Sequence, residues 1–207
     1  MFRRILPLFF LLSLPSLSLA GITVENKHRI PNAPNGVCAW ASLETLARHH
    51  GIKELYGVRD HYANWRDSNN EKWRGGADAD DLVQQCMILK VPVKGFKRGP
   101  WTLMQKACDQ NLGCVIGIQD WPSEGDKHAL TLIDWQGDWV WFLDCNDTEH
   151  VYKAEVKWLE HHWMGFVVVI WPETHAGVKT FSVLVWVDSE TMMALRRKDG
   201  RSQPTVP

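Results

Sequence analysis

The apolar residues of this chain change their period once, near Gly113, and that change constrains the fold more than any other feature. Before it they recur at helical spacing. Val37, Ala41, Leu43, Leu46 and Ala47 share a face and Gly51 follows as a left-handed stop, which predicts a helix of about four turns opening after Asn35-Gly36. Further helices are expected near Leu55 to Trp65, at Ala77 to Leu89 and at Pro100 to Gln110, with Val91 to Phe96 as a short strand. After Gly113 the period is two. Cys114 to Gln119, His128 to Trp135, a Gln136-Gly137 turn and Trp139 to Asp144 read as antiparallel strands. A helix at Lys153 to His162, a strand at Phe166 to Trp171 and an edge strand at Phe181 to Val187 are expected next, then a polar tail from Arg196. Helices first and an antiparallel sheet second make an α+β domain.

The 207 residues, 45% hydrophobic and 23% charged, suit one packed core. Lys plus Arg (23) nearly cancel Asp plus Glu (24), so no positive field exists to hold a phosphate backbone, and nucleic acid is excluded as a partner. Ile5 to Ala20 is apolar but interrupted by Pro7 and Pro15, and it is shorter than the ~20 residues a span requires. With Arg3 and Arg4 before it and Ser18-Leu19-Ala20 at its end, it reads as a secretory signal. The expected organisation is a signal peptide over 1–20, one domain over 21–173 and an extension over 174–207. Such a chain is exported, periplasmic or extracellular, with no integral membrane span once the signal is removed. Nothing in the sequence fixes an oligomeric state.

Five cysteines, at 38, 86, 108, 114 and 145, leave at least one thiol unpaired in an exported chain. The other four can form up to two disulfides, with Cys108 and Cys114 close enough for a local closure. No CxxC pair or CxxC…HxxxH spacing occurs, so neither a structural metal nor a cofactor is expected. His49 and His50, like His161 and His162, fall in last helical turns, where a cationic side chain favours the exposed carbonyls. Trp65, Trp73 and Trp121 lie in or near polar loops and could stack sugars or peptide side chains; the remaining tryptophans read as core.

One set of residues carries chemistry. Cys38 falls in the first turn of its helix, where the positive end of the helix dipole favours the thiolate, the form that attacks carbonyls. His128 opens a strand after the polar loop Pro122 to Lys127, so a sheet presents its imidazole at an end. Asp144 ends the next strand sixteen residues later, and antiparallel pairing brings it alongside His128. The order is nucleophile, base and orienting carboxylate, with Asn146 and Asp147 as nearby alternatives for the orienter.

The segments NGVCAWASLETLARHHGI around Cys38, KHALTLIDW around His128 and VWFLDCND around Asp144 resemble papain-like cysteine peptidases. They are most similar to the compact bacterial branch of bacteriocin-processing, leader-cleaving peptidases, over about residues 30 to 173. The resemblance implies a papain-like fold in which the Cys helix packs on an antiparallel sheet. It implies peptide-bond hydrolysis of a peptide or protein substrate, with Cys38 as nucleophile, His128 as base and acid, and Asp144 as orienter. The family has a glutamine six residues before the catalytic cysteine, whose amide joins the oxyanion hole; this chain has Asn32 there, with Asn35 as the second candidate. The same triad could serve a cell-wall peptide amidase or acyltransferase. A non-catalytic binding module that retains the fold is a further possibility.

Overall fold

The computed structural model describes residues 22–33, 36–68 and 76–171. The expected signal peptide, the extension with its edge strand at Phe181 to Val187, and Asn35 and Trp73 lie outside these residues.

The helix of the Cys segment, α1, runs Cys38–His50 and ends on Gly51 in the left-handed region at φ 71. A 3-10 turn at Lys53–Leu55 leads into α2, Val58–Ser68. Glu44 of α1 fixes the angle between the two helices. Its carboxylate is buried, pairs with Arg48 at 2.7 Å, and accepts the backbone N–H groups of Gly57 and Arg59 at the start of α2. A buried carboxylate is tolerated only when its lone pairs are filled in this way. α3, Ala79–Ile88, starts on a capping box between Asp78 and Asp81. The three helices are tied by Trp40 stacked on Tyr62, centroids 3.7 Å apart, and by the Tyr62 hydroxyl donating to Gln85.

β1 spans Val93–Phe96 and α4 spans Trp101–Asp109, with Pro100 as the extended residue before the helix rather than its first turn. Then come β2, Cys114–Gln119; β3, Lys127–Gln136; and β4, Trp139–Asp144. All six strands form one antiparallel sheet in the order β1-β6-β2-β3-β4-β5. One expectation needs correction. The segment after Asp144 is a strand, β5 (Asp147–Glu155), and the helix α5 occupies only Val156–His162 before β6, Trp163–Ile170. β5 is an edge strand with charged, exposed side chains, so no apolar alternation marks it.

Helices cover both faces of the sheet. Val115, Ala129, Ile133 and Leu143 pack with Leu43, Leu46 and Leu82 of the first three helices. Ile116, Ile118, Leu130, Leu132 and Phe142 pack with Met104 and Cys108 of α4 and Leu159 of α5. That double burial explains why β2 and β3 are apolar almost throughout. Among the described residues, no helix is long and apolar enough to cross a membrane.

Candidate active site

Cys38 is the first residue of α1 and is 8% exposed. Gly36, at φ 91, turns the chain into the helix through a conformation that side chains disfavour. Val37 precedes Cys38 without any side-chain cap, so the first N–H groups of the helix keep their donor capacity at the sulfur's end.

His128 sits at the start of β3, opposite Ile118, while Asp144 ends β4 opposite Leu130. The two-residue offset makes them diagonal neighbours on one face. His128 Nε2 lies 2.8 Å from Asp144 Oδ1, and both side chains are 6% exposed. The second carboxylate oxygen accepts the indole N–H of Trp121 at 2.9 Å, and Oδ1 also accepts the Asn146 backbone N–H at 2.8 Å. The ring of His128 further interacts with the thiols of Cys145 and Cys38. Burial, the largest single influence, opposes a charge on His128, but the Asp144 hydrogen bond and the Cys145 and Cys38 thiols together outweigh it and hold the imidazole well above its ordinary range. Burial likewise opposes ionisation of Asp144, yet His128, Trp121 and Asn146 hold it below its ordinary range.

Asp144 is therefore the partner of His128. Asn146 Nδ2 stands 3.4 Å from His128 Nε2, but its Oδ1 already accepts from Asn32, which leaves an amide donor facing the N–H that His128 gives to Asp144. Two donors do not bond. Asp147 turns away to His150 and the Tyr152 hydroxyl.

Asn32 reaches the same place from the N-terminal segment. Its backbone N–H donates to the Cys145 carbonyl at 2.8 Å, and its Nδ2 donates to Asn146 Oδ1 at 2.9 Å. Its Oδ1 accepts the Val37 N–H at 3.2 Å, one residue before Cys38. The segment is held against α1 by Ile30, whose N–H donates to Thr45 Oγ1. One amide hydrogen of Asn32 remains for another acceptor.

Two participants were not anticipated from the sequence. Trp121 donates to Asp144 and makes edge contacts with Phe142, Tyr152 and Trp158. Cys145 was grouped with the disulfide formers, whereas all five cysteines are buried and unpaired. Its position next to Asp144 was the available signal. Burial raises the Cys145 thiol against the opposing pull of His128. Donor atoms of His128, Asp144 and Cys145 lie within 4.8 Å of one another, the one such group among the described residues. The histidine pairs do other work: His50 bonds the Leu112 carbonyl, and His162 bonds the Trp158 carbonyl.

No protein-family model and no curated protein sequence matches this chain. Solved structures do match. The peptidase domain of Streptococcus ComA, a bi-functional ABC transporter, superposes with a TM-score of 0.52 at 16% identity, over 70% of this chain and 97% of that domain. A double-glycine motif protease from an AMS/PCAT transporter, in complex with its leader peptide, gives 0.47 at 17% identity over 69% and 90%. The peptidase domain of Streptococcus mutans ComA gives 0.45 at 14% identity over 70% and 99%. The chain has the papain-like peptidase fold seen in the Streptococcus ComA domain.

Proposed function

We propose that this protein is an exported cysteine peptidase in which Cys38 is the nucleophile, His128 the proton carrier and Asp144 the orienter. The observation that carries the reading is the buried His128–Asp144 pair placed at the N-terminus of the Cys38 helix. The Cys38 thiolate would attack a peptide carbonyl carbon, and the imidazolium of His128 would give its proton to the departing amine. Water, deprotonated by His128, would then release the acyl group from sulfur. The Cys38 backbone N–H and the remaining amide hydrogen of Asn32 are the donors for the oxyanion. Cys145 is not the nucleophile in this scheme, because burial favours its neutral thiol and no helix terminus serves it. Export rests on the N-terminal segment Arg3 to Ala20. Incubation of the mature chain with a mixed peptide library, read by mass spectrometry, tests the reading: new termini should appear with the wild type and be absent with Cys38→Ser. Equal cleavage by both, or none by either, would refute it.

A further inference from the structure

We propose that the groove between α2 and α3 is a specificity subsite of the peptidase centre, receiving a lysine or arginine side chain of the substrate with Asp81 as its ionic partner. The assignment rests on the peptidase reading and adds to it the class of substrate.

A cavity of about 280 Å³ opens there. Asp81, Gln84, Gln85 and Ile88 line it at the i, i+3, i+4, i+7 spacing of a single stripe on α3, facing Tyr62 and Trp65 of α2. The groove follows about 10 Å of α3 and is at the small end of ligand pockets, with room for a side chain or two rather than a large cofactor. It borders the helix that carries the nucleophile. Trp40, another of its walls, is two residues beyond Cys38 in α1, about 3 Å along the axis. A Cβ on Gly76, which also lines it, would stand 3.9 Å from the carbonyl oxygen of Gly36, two residues before Cys38. An extended peptide advances about 3.3–3.6 Å per residue, so one whose carbonyl reaches Cys38 brings a residue within about four positions of the scissile bond to this groove. Asp81 is the one charged residue among the described residues that line it. Its Oδ2 accepts the Asp78 N–H at 2.9 Å, while Lys97 pairs with Asp78 and Asp80, leaving Asp81 without an ion pair among the described residues. The remaining surface is largely aromatic or apolar: Trp40 stacks on Tyr62, and Trp65 and Ile88 are 43% and 65% exposed. A lysine or arginine side chain matches this combination. Its methylene stem covers apolar surface, while its charged head pairs with a carboxylate and is attracted to aromatic faces. A glutamate would meet the like charge of Asp81, and an uncharged side chain would leave that charge unmatched.

Peptides built on a site that the protein cleaves test the assignment, with lysine, arginine, norleucine or glutamate placed in turn at each of about four residues on either side of the bond. The readout is kcat/KM. At one of these positions lysine and arginine should exceed norleucine on the order of tenfold at low salt, glutamate should fall below norleucine, and the advantage should shrink at high salt. Asp81→Asn keeps an oxygen for the Asp78 N–H and loses the charge. Gln84→Lys places a cation three residues along the same stripe, beside Asp81. In both variants the ratio of lysine to norleucine rates should fall towards one. Because that ratio is taken within each variant, a general loss of activity or of folded fraction does not alter it. Equal rates with lysine and norleucine at every position in wild type would overturn the subsite and leave the peptidase reading standing. So would a lysine preference that survives in Asp81→Asn, or in Gln84→Lys if the first variant does not fold. No cleavage of any peptide would remove the peptidase reading and the subsite with it.

Discussion

Trp121 donates its indole N–H to Asp144 Oδ2 at 2.9 Å, the oxygen left over when His128 takes Oδ1. The carboxylate is thus gripped from both sides, and Trp121 is itself fixed by edge contacts with Phe142, Tyr152 and Trp158. An orienting group works only if its own rotamer is held.

Trp121→Phe keeps the aromatic packing and removes one hydrogen bond to a charged group, worth about 1.5–3 kcal/mol. We expect kcat/KM for peptide hydrolysis to fall about tenfold or more, with KM nearly unchanged. Steady-state kinetics beside circular dichroism would check this. Unchanged turnover in a folded variant would mean that the carboxylate does not need the indole.

Much of this arrangement is legible in the sequence because it depends on local pattern. The apolar period placed α1, and the single hairpin between His128 and Asp144 made their approach a matter of strand pairing rather than of long-range folding. What escaped was set by tertiary context. β5 carries its pairing in backbone hydrogen bonds at an exposed edge, so Glu149, His150 and Lys153 gave no apolar rhythm to read. The link between Asn32 and Asn146 joins segments 114 positions apart, and nothing local announces it. Trp121 looked like a loop residue because only the fold reveals the aromatic wall beside it.

Asn32→Ala removes the Nδ2 donor and also the acceptor that holds the Val37 N–H next to Cys38. Loss of an oxyanion donor lowers the rate by ~10²–10³. We expect kcat to fall by about that much while alkylation of Cys38 by a small neutral reagent continues, since thiolate formation does not depend on the oxyanion hole. Loss of both together would reassign Asn32 to holding the loop alone.

The His128–Asp144 pair also sets a pH window for stability. His128 is raised in the folded chain, so its contribution is complete below about 6.5, the unfolded value, and fades as pH climbs through the folded one. Asp144 is lowered, so its contribution is complete above about 4 and fades as pH falls through the folded value. The melting temperature of wild type should exceed that of Asp144→Asn most between about pH 4 and 6.5, and the gap should narrow towards either extreme. A gap that stays constant as the pH is lowered through the acid limb would contradict the ion pair.

The most direct measurement is site-resolved alkylation. Burial pushes the thiols of Cys86, Cys108, Cys114 and Cys145 upward, Cys86 to about 12, and suppresses their thiolates near neutrality. A neutral alkylating reagent applied to the reduced protein near pH 6, followed by peptide mapping and a parallel cleavage assay, should label Cys38 alone and abolish hydrolysis in proportion to the label. Label appearing first on Cys145, or hydrolysis surviving full modification of Cys38, would contradict the account.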